Sequence, residues 1–222
     1  MSTPAAPAGA AATALLQVYA IARAELLDRV RRYSYLVTLA GSLYFVYLVN
    51  NGNVRFSVHG QRGIYNSAWI GTLMALSVGC FLSLIGFYLV KNTLDRDRRT
   101  GVGEILAATP LSRAAYTLGK ALSNFLLLAS ILALLAVAAG VTQLLAREET
   151  RLDLAALLMP MAALAVPPVA LAAALAVLFE AFPWLRGALG NVIFFFLWTA
   201  GLSLSVIGPG GDLLGFRLVE SS

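Results

Sequence analysis

Residues 68–90, AWIGTLMALSVGCFLSLIGFYLV, form an apolar stretch of 23 residues without a lysine, arginine, aspartate or glutamate. A helix needs ~20 such residues to cross the hydrocarbon core of a bilayer. Four further apolar stretches lie at 35–49, 121–146, 154–179 and 187–207, and the first of these is short and rich in tyrosine. The sequence therefore predicts an all-α, polytopic helical membrane protein with about five transmembrane helices in a transmembrane domain at 34–207.

The composition of the chain excludes most classes of soluble protein. Hydrophobic residues make up 59% of the sequence and charged residues 12%, whereas ordinary soluble domains have ~45–50% and ~25%. The single cysteine, Cys80, rules out a disulfide framework within the chain. The single histidine, His59, rules out a histidine-based metal or catalytic cluster. We therefore expect no metal site and no cofactor.

Basic residues are distributed unevenly over the segments between the predicted spans. If the N-terminus is cytoplasmic, eleven of the 16 lysine and arginine residues lie on the cytoplasmic side and five on the other. Membrane proteins keep an excess of lysine and arginine in cytoplasmic loops. We therefore expect a multi-pass protein of the cell membrane with a cytoplasmic N-terminus. The high isoelectric point then requires no nucleic-acid partner.

Two segments precede the first predicted span. Residues 1–14 are small and uncharged and are predicted to form a disordered tail. Over 15–33, apolar residues recur at the three- and four-residue spacing of one helix face. They are Leu15, Tyr19, Ala22, Leu26, Val30 and Tyr33. We expect an interfacial amphipathic helix lying along the inner leaflet, and a solvated extension of the first span is the alternative.

The segment between the second and third spans, 91–120, is long for a helical connection, where ~2–8 residues are usual. Gly101 and Gly103 are expected to bend the chain. Ser112 is a suitable N-cap for the third helix, since its hydroxyl oxygen can accept a bond from a free backbone N–H. Long connections often carry function, and an ordinary surface loop is the alternative.

A short helical turn is predicted between these two points, from Glu104 to Ala108. Pro110 ends it, because proline disfavours the helical conformation in the preceding residue, Thr109. The turn would project into the cytoplasm with Ile105 and Leu106 exposed beside one carboxylate. Such a projection is suited to be held by a partner protein.

The sequence of this loop resembles that of permease subunits of ABC-2 type ABC transporters. The matching positions are Gly101, Glu104, Leu106, Thr109, Pro110, Ser112, Arg113, Gly119 and Lys120. The match departs at Val102, where the family often has threonine or serine. It is close over about 25 residues, and the order of helices resembles the family more loosely over nearly the whole chain.

The resemblance implies a six-helix permease fold. The sixth helix is expected to be missing here, and 208–222 is predicted to be an external C-terminal segment. It also implies three partners: a cytoplasmic ABC ATPase, a second permease copy or homologue, and membrane lipid. The residues it assigns to ATPase coupling are Gly101, Glu104, Ile105, Leu106, Thr109 and Pro110. Arg31, Arg32, Arg113 and Lys120 would anchor the chain at the inner leaflet, and the last two are alternatively placed against the N-terminal helix.

The chain itself has no ATPase motif. A phosphate-binding loop needs Gly-x-x-x-x-Gly-Lys-Ser/Thr. The Gly119-Lys120 pair has Ala114 at the position of the first glycine and is followed by Ala121. The chain is therefore not expected to be an enzyme, and ATP hydrolysis would fall to a partner subunit.

Other sources of energy and chemistry find little support in the sequence. An ion-coupled carrier usually has an ionisable residue within a span, whereas Glu180 is expected at the cytoplasmic end of the fourth span, in reach of water. The serines in the spans have no histidine, carboxylate or lysine to activate them, which disfavours a lipid-modifying enzyme. A non-transporting membrane scaffold or assembly protein remains the main alternative to a permease.

Two adjacent prolines, Pro167 and Pro168, interrupt the fourth predicted span. Proline removes a backbone hydrogen bond and kinks a helix. The pair is a candidate hinge, and a fixed packing shape is an equal alternative. Nothing in the sequence identifies a substrate.

Overall fold

The computed structural model describes residues 8–50, 66–91, 101, 112–146 and 151–207 of the chain, and every regular element in them is helical. The helices are α1 (Ala8–Val30), α2 (Tyr33–Asn50), α3 (Ser67–Val90), α4 (Arg113–Ala146), α5 (Leu154–Ala181) and α6 (Ala188–Ile207). A single 3₁₀ turn, Pro183–Leu185, connects α5 to α6. The predicted all-α fold is confirmed for these residues. Helix α1 begins at Ala8, within the segment that was predicted to be a disordered tail.

Three of these helices are long and apolar enough to cross a membrane, and they are Ser67–Val90, Arg113–Leu145 and Leu154–Ala181. Two shorter apolar helices, Tyr33–Leu48 and Ala188–Leu204, accompany them. The structure thus has the character of a membrane protein. Three of the five predicted spans meet the length criterion, and the full set of five stays a prediction.

Helix α3 lies at the centre of the bundle, and α5 runs beside it in the same direction. A Cβ atom built on Gly71 would lie 2.5 Å from the Leu157 carbonyl oxygen, and one on Gly79 would lie 3.2 Å from the Ala165 Cα. The two contacts are eight residues apart on both helices, which requires parallel axes. Small residues let membrane helices approach this closely, so these glycines set the distance between α3 and α5.

Helices α4 and α6 run opposite to α3. On α4, Gln143 near the end bonds Ser67 at the start of α3, and Leu128 packs against Gly86 near the end of α3. On the other side, Ser83 accepts a bond from the Trp198 indole, and the rings of Phe87 and Phe194 stack at 3.5 Å.

Consecutive helices from α3 to α6 therefore alternate in direction, as successive membrane crossings require. Helix α2 packs against this group through an edge contact between the Phe45 and Phe81 rings and a hydrogen bond between the Tyr35 and Ser130 hydroxyls.

Helix α5 passes through its proline pair without ending. Pro167 and Pro168 have no N–H to give to the carbonyls one turn earlier, and the helix widens there into a π-helical segment, Met161–Ala165. The Val166 N–H donates to the Met161 carbonyl in this wide turn. The carbonyl and Cα atoms of its last residues lie against Gly79. The π turn therefore lies at one of the two close contacts between α5 and α3, and a hinge role for the prolines stays a prediction.

Among the described residues, helix α1 makes its own most extensive helix–helix contact with α4. Gly119 of α4 lies against Val18 and Ile21, and bonds from Glu25 and Arg29 reach α4 further along. Helix α1 therefore runs lengthwise beside α4, and its position at the inner leaflet stays a prediction.

The contact at Gly71 yields a stability prediction with an internal control. Gly71→Ala places a methyl group against the Leu157 carbonyl, and overpacking of this kind costs about 1–3 kcal/mol. Gly41→Ala is the control, because a Cβ at Gly41 meets nothing within 4 Å, and alanine favours a helix by up to ~1 kcal/mol over glycine. Thermal unfolding in mild detergent is expected to show a lower midpoint for Gly71→Ala only. Equal midpoints would contradict the close α3–α5 contact.

Candidate functional site

Charged residues collect at one end of the bundle, called the basic end here. It is formed by the starts of α2, α4 and α6 and the ends of α3 and α5. Nine lysine and arginine residues belong to the described part of the chain, and eight of them lie at or beyond this end. They are Arg23, Arg29, Arg31, Arg32, Lys91, Arg113, Lys120 and Arg186. The ninth, Arg151, lies at the opposite end.

The described residues on either side of the predicted coupling loop, Lys91 and Ser112, lie at this basic end. Of the residues assigned to ATPase coupling, Gly101 has a φ of +73°, in the left-handed region that favours glycine. Glu104, Ile105, Leu106, Thr109 and Pro110 lie outside the described residues. At the loop's return, the Ser112 hydroxyl accepts a bond from the Ala115 N–H at 3.0 Å, so the predicted N-cap is confirmed.

The loop is followed by the start of α4, where a buried ion pair joins α4 to α1. The Lys120 ammonium group binds a carboxylate oxygen of Glu25. Arg29 binds the other oxygen of Glu25 at 3.2 Å and the Asn124 side-chain carbonyl at 2.6 Å. Lys120 is 1% exposed and Arg29 6%. We call these four residues, Glu25, Arg29, Lys120 and Asn124, the α1–α4 clamp.

The clamp holds two cations around one carboxylate in a buried setting. Burying a charge is costly unless it is paired and hydrogen-bonded, and here each charge has both. The ring of Tyr116 adds a cation–π contact, with Lys120 Nζ 5.5 Å from its centroid. The arrangement therefore ties α1 to the part of α4 that directly follows the loop.

The loop is preceded by the end of α3, and Lys91 is the last described residue there. Its ammonium group donates to the Asn191 side-chain oxygen at 2.6 Å and to the Gly187 carbonyl at 3.3 Å. Gly190 has no room for a side chain, since a Cβ there would lie 1.8 Å from the Leu185 carbonyl oxygen and 3.0 Å from Lys91 Nζ. Lys91 therefore fixes the start of the loop to the start of α6.

Glu180 lies next to this junction and is 1% exposed. The expectation that it reaches water at the end of α5 is wrong, because the chain folds back at the 3₁₀ turn and covers it. Arg186 donates to the Glu180 backbone carbonyl at 2.7 Å and helps to close that turn. Burial lowers the pKa of the Lys91 ammonium group, and the negative charge of Glu180 works in the opposite direction. The free-energy cost of burying the charged Lys91 side chain is therefore present at neutral pH. This cost falls as the pH rises through the folded-state pKa of Lys91, because the ammonium group then loses its proton.

The four predicted leaflet anchors fall into two groups. Arg31, Arg32 and Arg113 are exposed, and Arg32 pairs with exposed Asp28 at 2.7 Å. Lys120 is buried in the α1–α4 clamp, so of its two predicted positions the structure places it against the N-terminal helix.

Of the two prolines in the candidate hinge, Pro168 is buried and Pro167 is exposed.

A polar network at the opposite end of the bundle joins three helix ends. The Ser67 hydroxyl donates to the Gln143 side-chain oxygen at 2.8 Å and accepts from the Asp153 N–H at 2.9 Å. Gln143 donates in turn to the Arg151 carbonyl at 3.1 Å. The carboxylate of Asp153 caps α5 by accepting from two backbone N–H groups. The hydrogen bonds that join the helices at this end are made by neutral side chains and backbone groups, whereas those at the basic end involve charged side chains.

At these three places the structure gives bonding partners to residues that the sequence analysis did not single out: Glu25, Arg29, Lys91, Asn124, Gln143 and Asn191. For two of these residues the sequence does indicate that a bonding partner is needed. Asn124 and Gln143 are amides inside a predicted span, and a polar group in lipid needs a partner within the protein. That requirement predicts a bond at each position without naming its partner.

Among the described residues, no group of three or more histidine, cysteine or acidic side chains is placed to hold a metal ion. Comparison with known proteins does not name a relative, since no family model, no curated protein and no solved structure matches the chain.

The α1–α4 clamp yields a prediction with a matched control on the same helix. Glu25→Gln removes the carboxylate shared by two buried cations, and breaking a buried pair in this way costs about 3–5 kcal/mol. Asp28→Asn makes the same chemical change in an exposed pair, where about 0–1 kcal/mol is at stake. Unfolding midpoints in detergent are expected to fall for Glu25→Gln and to stay nearly unchanged for Asp28→Asn.

Adding Lys120→Met to Glu25→Gln is expected to restore part of the lost stability, because one of the two uncompensated cations is then gone. Equal midpoints for Glu25→Gln and Asp28→Asn would show that the clamp does not hold α1 to α4.

Proposed function

We propose that this chain is the membrane-spanning permease subunit of an ATP-driven transporter of the ABC-2 type. A separate cytoplasmic ATPase binds the 101–110 segment, and the chain carries the resulting movement into the membrane. The residue pattern of the loop supports the family, and the direction of transport, export, follows from that resemblance alone. The observation that carries the proposal is that both flanks of the loop are fixed to other helices by buried lysines.

The two buried lysines give the loop two separate mechanical connections. Lys91 at its start is bonded to the first turn of α6. Lys120, eight residues after Ser112 at its end, is bonded to α1. A force applied to the loop by a partner would reach α3 and α6 through the first connection and α4 and α1 through the second. A loop without such a role needs neither buried charge.

The distribution of charge supports a cytoplasmic position for the loop. Eight of nine described basic residues lie at or beyond the end from which it projects, and lysine and arginine are enriched on the cytoplasmic side of membrane proteins. In this orientation the N-terminus is cytoplasmic and α2 to α6 cross the membrane alternately. The 101–110 segment then lies where ATP and a soluble ATPase are present.

The length of α4 fits this arrangement. Its 34 residues extend roughly 50 Å at 1.5 Å per residue, well beyond the ~30 Å of a hydrocarbon core. The excess lies at its start, where the charged residues are, and α1 packs along it. Together α1 and the start of α4 form a stalk that continues the bundle into the cytoplasm and supports the end of the loop.

Five spans enclose little space for a guarded path. A second copy, or a homologous subunit, therefore completes the pathway in the proposed transporter. A membrane scaffold without transport activity would share the spans but would have no use for an ATPase-binding loop, and the experiment below separates the two.

The proposal predicts that a nucleotide-binding ATPase co-purifies with the intact protein in mild detergent. A Glu104→Arg, Leu106→Asp variant is expected to lose this ATPase, because it reverses the charge and removes the apolar contact of the projecting turn. Mass spectrometry of the co-purified proteins and ATP hydrolysis by the purified sample are the two measurements.

Arg151→Glu is the matched control, since it reverses an exposed charge at the opposite end of the bundle and is expected to keep the ATPase. If neither the intact protein nor the control retains an ATPase while both reach the membrane, the permease proposal fails and the scaffold becomes the better account.

A further inference from the structure

A groove of about 370 Å³ lies between α2 and α3, with α4 beneath it. Its floor is buried and aliphatic, formed by Val78, Leu82 and Leu135. One wall is the face of α2 from Val37 to Phe45. Neither the clamp nor the Lys91 junction uses any of these residues, so the groove is independent of the coupling machinery.

The groove has almost no capacity to bind a polar molecule. Its two hydroxyl groups already donate to their own helix, from Thr38 to the Ser34 carbonyl at 2.9 Å and from Ser42 to the Thr38 carbonyl at 2.8 Å. The remaining lining is aliphatic or aromatic, apart from Gly41. An apolar chain is therefore the kind of ligand that the lining fits.

The two ends of the groove differ in the charge that lies beyond them. Away from the basic end, the rings of Phe45 and Phe81 meet edge-on at 4.9 Å between centroids. Val37, Phe81 and Ile85 are each about half exposed, so the groove is open along its side. The end at Val37 and Ile85 is the one nearer the basic residues, so a ligand with a charged group would have that group there.

Those basic residues include two exposed arginines directly before α2. Arg31 and Arg32 lie within two turns of Val37 along the chain. Arginine side chains near a helix end reach toward the headgroup region while their stems stay in apolar surroundings. A phosphate group at this level would meet positive charge, and the wall from Val37 to Phe45 would accommodate roughly 12 Å of the attached chain at 1.5 Å per residue.

We propose that the groove between α2 and α3 binds one acyl chain of an anionic phospholipid of the inner leaflet, with its phosphate near Arg31 and Arg32. The site does not depend on the proposed transport function. It depends only on the bundle lying in a membrane with the basic end at the inner leaflet. The lipid would fill the gap that the sparse contact between α2 and α3 leaves, and so hold α2 to the bundle.

The test uses the full-length protein in lipid nanodiscs with phosphatidylglycerol that carries a photoactivatable diazirine on its acyl chain. After illumination, mass spectrometry locates the lipid-modified peptides. We expect modification within 37–45 and 78–85, and stronger modification by phosphatidylglycerol than by phosphatidylcholine with the same diazirine chain.

Two sets of variants separate chain binding from charge recognition. Gly41→Leu places a bulky side chain in the groove, at a position where the Cβ meets no atom within 4 Å, and it is expected to abolish the modification at these two segments. Ala133→Leu introduces a leucine at an exposed position of α4 instead and is expected to leave the modification unchanged. Arg31→Gln and Arg32→Gln are each expected to lower the preference for phosphatidylglycerol roughly fivefold, the effect of one basic residue near an anionic surface.

Three outcomes would overturn the proposal. The first is modification spread evenly over all lipid-facing helices. The second is equal modification by both lipids, which would leave only a non-selective apolar surface. The third is an oligomer that dissociates in Gly41→Leu but not in Ala133→Leu, measured by light scattering, because a second copy of the chain would then be the occupant.

Discussion

The close approach of α5 to α3 at Gly71 and Gly79 is the contact on which the rest of the bundle depends. Lipid tails are as apolar as leucine, so burying apolar area does not by itself drive membrane helices together. Close packing does drive membrane helices together, and Gly71 and Gly79 let the backbones of α3 and α5 come into contact. With α5 placed against one face of α3, its other faces are left for α4 at Gly86 and for α6 at Phe87. The π turn of α5 lies at the same level as Gly79, so the irregular part of that helix is one of the two places where it packs closely on α3.

Electrostatics divides the two ends of this bundle. At one end Ser67, Gln143 and Asp153 bond three helices together with neutral partners or backbone groups. At the other, Lys91 and Lys120 are buried and bonded across helix boundaries. Charged side chains bury well only where their partners are held in place. These ordered charged side chains lie where the loop joins the bundle. This is the arrangement expected if the loop transmits force.

Much of the architecture follows from sequence pattern alone. The apolar stretch 68–90 predicts α3 nearly to the residue, because a run without charge or proline in lipid has no other way to satisfy its backbone. The cap at Ser112 was predictable for a similarly local reason. The start of α1 at Ala8 was not, since alanine-rich segments carry no periodic signal.

The candidate site was less predictable than the fold. Periodicity identified α1 as amphipathic, but the predicted face from Leu15 to Tyr33 is only partly the one that packs. Leu15 and Tyr19 are exposed, whereas Glu25 and Arg29 are turned inward. Their burial depends on a lysine and an asparagine almost a hundred residues later in the chain, and no local pattern encodes such a pair. Glu180 was misplaced for the same reason, because its cover comes from the return of the chain toward α6.

The orientation of the bundle is the claim on which both proposals rest, and cysteine labelling tests it most directly. In a Cys80→Ala background, single cysteines at Arg113, in the exposed part of the stalk, and at Arg151, at the opposite end, are treated with a membrane-impermeant maleimide. We expect labelling at 151 in intact cells and at 113 only after the membrane is permeabilised. Labelling of both positions from the outside, or at 113 alone, would place the loop away from ATP and contradict the account.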